Sequence, residues 1–191
     1  FVCCIVAYVT ARFNYKFSSV LYTVVLVVMI VPVVGSLPSE IQMLRNLHLY
    51  DTMIGAWVLK ANFLGMYFMV FHAAFKGLPK DFAEAAQIDG AGNLRVFFSI
   101  MLPMVKTTFT TILLIRFIEY WNDYQMPLMY IPSYPTLSYG LYDYTQSARP
   151  AIAGTPMQLA GCMILFIPIF IIFIVFQKKL MGNISMGGIK E

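Results

Sequence analysis

Long apolar runs alternate with short polar breaks along these 191 residues. Residues 17–38 read FSSVLYTVVLVVMIVPVVGSLP without a single charge. After a polar segment, 39–51, residues 52–75 carry one charge, Lys60. Residues 107–127 carry Arg116, Glu119 and Asp123, and residues 157–176 carry none. Each run is close to the roughly 20 residues a helix needs to cross a bilayer. A helix also satisfies its own backbone where there is no water. The first run, FVCCIVAYVTA, is too short to cross and lacks the flanks of a signal peptide. It reads as the tail of another spanning helix whose front precedes this sequence. The pattern predicts an all-α, polytopic membrane protein: one transmembrane domain over 1–191, four complete spans and one partial N-terminal span. Pro32 is expected to kink the 17–38 span, which transmembrane helices tolerate.

Composition agrees with a bilayer as solvent. Apolar and aromatic residues make up 60% of the chain and charged residues 12%, about half the share of a soluble domain. The charges are unevenly placed. If five spans put alternate loops on opposite sides, one side receives Arg12, Lys16, Lys76, Lys80, Arg95, Lys106, Lys178, Lys179 and Lys190. The other side receives only Arg45 and Arg149. The basic side is expected to be cytoplasmic, which places the 76–106 loop and the C-terminus there and the 130–156 loop outside. Cys3, Cys4 and Cys162 all lie in apolar runs without metal-ligand spacing. They read as small hydrophobes rather than a disulfide framework or metal site. His48 and His72 have no metal-like neighbours in sequence. No nucleophile set is evident, and nothing points to nucleic acid.

The longest polar interruption contains LPKDFAEAAQIDGAG. It predicts a short surface helix, with Pro79 at its first position and Asp81 and Glu84 near its positive end. Gly90 is expected just past its C-terminus, where a left-handed backbone ends the helix. Beyond it, Leu94, Phe97, Phe98, Met101 and Leu102 recur at helical spacing. They suggest an amphipathic stretch that feeds the next span through Pro103. From the segment alone, a capped helix that merely connects two spans is an equal reading.

The longer spacing is more specific. Glu84, Ala85, Ala86, Gly90, Ile100, Leu102 and Pro103 form EAA-x3-G-x9-I-x-L-P. This resembles the EAA loop of membrane subunits of bacterial ATP-binding-cassette importers, in the maltose-permease-like carbohydrate branch. FIEYWNDYQMPL and the ending FQKKLMGNISMGGIKE are similar to that branch too, while Thr107 stands where the family usually has Pro. The resemblance covers essentially the whole chain.

It implies a type I importer permease fold in the bacterial cytoplasmic membrane, with 76–106 as a cytoplasmic coupling loop. Its helix docks on a partner ATPase through Glu84, Ala85, Ala86, Asp89 and Gly90. Glu84 meets a basic residue of the ATPase, Ala85 and Ala86 allow close packing, Gly90 turns the loop, and Asp89 helps to hold its shape. ATP and Mg belong to that ATPase, and no cofactor is expected on this chain. Independently, the sequence has no GxxxxGK[ST] phosphate loop. The further partners implied are a second, related permease in a heterodimer, an extracytoplasmic solute-binding protein and membrane lipid; the 130–156 loop reads equally as a contact for the binding protein and as an ordinary outer turn region.

Charges inside a span cost about 2.5–3.5 kcal/mol each at the helix centre. Arg116 and Glu119 are three apart and can pair. Glu119, Tyr120, Trp121, Asn122 and Asp123, with Asn62 as a weaker member, are candidates for a sugar path. Aromatic faces and polar groups suit sugar hydroxyls, but an interfacial aromatic belt explains them equally. Lys60 is, like Asn62, a weaker candidate, and snorkelling outward is its alternative reading. The expected cargo is a sugar or oligosaccharide. A non-sugar solute and a secondary transporter remain as rivals, the latter opposed by the EAA loop, and a membrane enzyme is remote.

Overall fold

The computed structural model describes residues 1–13, 15–31, 34–146 and 154–182. Expectations that rest on Pro32, on Arg149 and the rest of 147–153, and on 183–191 with Lys190 fall outside the described residues. Those described are helical, without a strand, as the runs predicted. In chain order the helices are α1 (Val2–Arg12), α2 (Lys16–Ile30), α3 (Leu37–Asn46), α4 (Met53–Lys60), α5 (Met66–Lys76) and α6 (Asp81–Ile88). After them come α7 (Asn93–Val96), a π-turn (Phe97–Met101), α8 (Leu102–Met104), α9 (Lys106–Asn122), α10 (Gln125–Tyr130), α11 (Leu137–Gln146) and α12 (Thr155–Gly182).

Several predicted runs are broken, each for a local reason. The helix of the 17–38 run ends at Ile30, and Gly35 at φ +78 precedes α3. The 52–75 run splits into α4 and α5. Between them the Asn62 side chain accepts the Leu64 N–H at 2.7 Å, a local bond that competes with helix continuation. Pro103 has no N–H for the helix ladder. The π-turn, in which the Leu102 N–H reaches the Phe97 carbonyl, lies just before it. At Val105 the chain turns by 79° between residues 93–104 and α9. The expected outer loop contains α11. Thr155–Gln177 within α12 is, among the described residues, the helix long and apolar enough to cross a bilayer unaided.

The chain forms two compact units. The first comprises Phe1–Val34 and Ala61–Leu113. In it α1 lies on α5, Cys4, Ala7 and Tyr8 being buried with Phe68, Phe71 and Phe75. Small residues on α1 let the helices approach closely. Tyr8 fills the space above them, with its ring 5.3 Å from Phe75 and 4.8 Å from Phe97. Of the amphipathic set after α6, Phe97 and Met101 enter this core, whereas Leu94 and Phe98 stay exposed. Cys4 is therefore buried as expected, but Cys162 is exposed on α12.

The second unit comprises Gly35–Lys60 and Leu114–Glu191, and polar ties hold its described part together. Asp51 accepts from the Ser133 N–H at 3.0 Å and the Ser133 hydroxyl at 2.6 Å. Tyr130 donates to Glu40 at 2.5 Å. Hydrogen bonds from Tyr130 and Ser36 hold the Glu40 carboxyl below its usual range. Burial and the nearby carboxylate push the Tyr130 phenol up to about 12.

The bond joins an ionised acceptor to a protonated donor. Its stabilisation is therefore lost as pH falls through the lowered Glu40 value, and lost again as pH rises through the raised Tyr130 value. Tyr130→Phe should lower Tm most between about pH 5 and 10, with the difference from wild type shrinking below about pH 4. Thermal unfolding in detergent across pH checks this; a difference independent of pH would show that no ionised acceptor is involved.

Candidate functional site

The polar loop of the first unit is built around α6. Lys80 is the N-cap and its carbonyl accepts the N–H groups of Ala83 and Glu84. Pro79 therefore stands two residues before the first helical position rather than at it, a correction to the expected start. Asp81 and Glu84 lie in the first turn as expected. At the other end the Ala91 N–H bonds to Ala86 O at 2.9 Å and the Gly90 N–H to Gln87 O at 3.0 Å. This is the Schellman arrangement, which requires a left-handed residue after the cap. Gly90 supplies it at φ +81.

The helix has two faces. Ala83 and Ala86 are half-buried against the core of the first unit, as is Ala91. Glu84, Ala85, Asp89 and Gly90 are exposed. So are Phe82, Ile88 and Leu94, and Ile88 is 85% accessible. Gln87 donates to Asn93 at 3.1 Å and closes the loop. The outward surface is thus a short, rigidly terminated helix with carboxylates, small residues and exposed apolar side chains.

Arg12, outside the expected site, reaches this loop from α1. Its Nη2 donates to the carbonyls of Leu78 (2.9 Å) and Pro79 (3.3 Å). Sequence inspection placed Arg12 only on the basic side, because nothing local marks a bond across 66 residues.

The path candidates fall in two places. Asn62 belongs to the first unit, where its side chain is engaged with Leu64. The others lie in the second unit, where Glu119, Tyr120, Asn122 and Asp123, but not Trp121, line a cleft of about 330 Å³ together with Lys60 and Arg116. Arg116 and Glu119 pair at 3.0 Å, as their spacing predicted. Lys60 does not snorkel; it pairs with Asp123 at 2.7 Å. Two opposite charges in separate apolar runs were the available signal.

Both cations also lie over the Tyr120 ring, Lys60 at 4.6 Å and Arg116 at 5.6 Å from its centroid. Trp121 stacks on Phe117 and donates its indole N–H to Leu165 O at 3.1 Å. The Asn122 amide donates to Ile118 O. Trp121 and Asn122 therefore spend these donors inside the fold, and the cleft offers paired charges and an aromatic ring.

Residues 4–183 match the family described as binding-protein-dependent transport system inner membrane component. The chain belongs to this family. It is thus an inner membrane permease component of a binding-protein-dependent transport system. Among its relatives is the arabinooligosaccharides transport system permease protein AraQ of Bacillus subtilis, 27% identical over 97% of this chain and 65% of that protein. Another is the diacetylchitobiose uptake system permease protein NgcG of Streptomyces coelicolor, 30% identical over 95% of this chain and 61% of that protein. The chain thus spans slightly less than two thirds of these relatives' length. A solved structure of a bacterial ABC transporter involved in import of the acidic polysaccharide alginate matches with a TM-score of 0.70 at 22% identity, over 93% of this chain and 68% of that one. That likeness supports the permease fold.

In this permease component Gly90 has open space around its missing Cβ. Gly90→Ala should therefore cost only backbone strain, about 1 kcal/mol. Gly90→Asn should cost less, since Asn tolerates the left-handed region. Thermal unfolding of the purified variants tests the order; equal stability of wild type and Gly90→Ala would mean that residue 90 is not left-handed in solution.

Proposed function

We propose that this permease component carries an uncharged sugar or oligosaccharide inward, delivered by an extracytoplasmic binding protein and driven by partner ATPases that dock on residues 84–90. The observation that carries the coupling role is α6 itself. Its EAA-x3-G residues form a short helix ended by a left-handed Gly90, with Glu84, Ala85 and Asp89 facing outward and Ala86 seated beneath. Exposed Ile88 and Leu94 extend that surface with apolar area, which suits a protein partner rather than water.

The basic bias supports a cytoplasmic position for this loop and the C-terminus. Five crossings, the first of them partial, satisfy the bias, and a second, related permease completes a heterodimeric path. Sugar as cargo is supported by the arabinooligosaccharide and diacetylchitobiose relatives. The cleft agrees: each cation there faces a carboxylate, so no excess charge is on offer to an anion. Hydroxyl-rich ligands can exchange hydrogen bonds with such paired groups.

Gly90→Asp separates docking from folding, because Asp tolerates a positive φ and Gly90 has space around it in this chain. The variant should reach the membrane in normal amount yet lose the co-purifying ATPase and sugar uptake. Detergent pull-down with mass spectrometry, paired with uptake of a panel of neutral sugars, acidic sugars and small non-sugar solutes, checks each part. Full uptake by Gly90→Asp would overturn the coupling role, and uptake of acidic solutes alone would overturn the neutral cargo.

A further inference from the structure

Arg12 is the last residue of α1, and its guanidinium is committed far from its own helix. Nη2 lies 2.9 Å from Leu78 O and 3.3 Å from Pro79 O. Both carbonyls lie in the turn that joins α5 to α6, immediately before Lys80, the N-cap of α6. Charge-assisted hydrogen bonds are the stronger kind, and the Arg12 side chain places a single nitrogen, Nη2, within reach of both carbonyls, farther from the backbone than a Lys ammonium extends. Arg12 is partly buried, and its Nε is buried without a partner among the described residues. A basic residue needed only for its charge would be better solvated.

The mechanical consequence follows from what each end holds. Tyr8, one turn before Arg12, is buried against Phe75 on α5. The turn before α6 is thus fixed covalently to α5 and by Arg12 to α1. We propose that Arg12 is a positioning residue of the coupling loop, tying α1 to the turn at Leu78 and Pro79 so that α1 moves with α6. The proposal rests on the coupling role assigned above to residues 84–90.

Spin labels test it without knowledge of the solute. Ile5 on α1 and Asp81 on α6 are both exposed. Each is replaced by cysteine in the assembled transporter, with the native cysteines replaced by alanine. Electron-spin distances between the labels are then compared in the nucleotide-free and vanadate-trapped states. With Arg12 present, one narrow distance common to both states is expected. In Arg12→Met the distribution should broaden and its centre should differ between states.

Arg12→Lys keeps the positive charge and serves if Arg12→Met does not assemble; it too should broaden. A narrow, state-independent distance in Arg12→Lys or Arg12→Met would overturn the proposal, as would a distance that already changes with Arg12 in place. Mobility of the Asp81 label alone reports the underlying coupling role. If adding the ATPase subunit does not immobilise it, docking has failed rather than the Arg12 tie.

Discussion

A peptide N–H or C=O removed from water without a partner costs several kcal/mol in a bilayer, and helices supply those partners only where they run unbroken. The described fold is organised around the places where they do not. Asn62 lends its side chain to the Leu64 N–H where the 52–75 run breaks. The π-turn closes through Leu102 and Phe97 just before Pro103. Gly90 and Ala91 fold back onto the last carbonyls of α6. In α12, Pro168 lacks the N–H that would meet Ile164 O, and the next carbonyl, Leu165 O, accepts the Trp121 indole. At Asn62, at the π-turn and at Gly90 the interruption is thus met by a hydrogen bond within a few residues of it.

The same economy governs side chains. Lys60 and Arg116 would each be costly in an apolar run. Each has a carboxylate at hydrogen-bonding distance, and both share the Tyr120 ring. The resulting cluster is polar but internally compensated. By contrast, the outward face of α6 keeps Glu84, Ala85 and Ile88 exposed. The one cluster satisfies itself; the other surface stays open.

Much of this was legible because it depends on neighbours in sequence. Runs of about 20 apolar residues require helices in lipid. The spacing of Arg116 and Glu119 permits their pair within one helix. Gly90 after an alanine-rich turn marks a helix C-terminus. Two local details were still misjudged. Pro79 was placed inside α6, although the helix begins at Asp81, and the 52–75 run was taken as continuous. In both cases hydrophobicity extends past the residue where hydrogen bonding changes course. Apolarity reports the solvent, not the local dihedral angles.

The sequence by itself determined the class of the molecule: a helical membrane protein, asymmetric in charge, with a short capped helix in its longest polar loop. Those properties follow from composition and from bonds spanning a few residues. Only the tertiary structure decided that Lys60 meets Asp123, that Trp121 turns its indole to α12, that Ala86 faces inward while Ala85 faces out, and that Arg12 holds the turn before α6. These depend on which faces of distant helices come together. Pairing across 40 to 70 residues is set by packing of side chains such as Tyr8 and Phe75, and no local pattern encodes it.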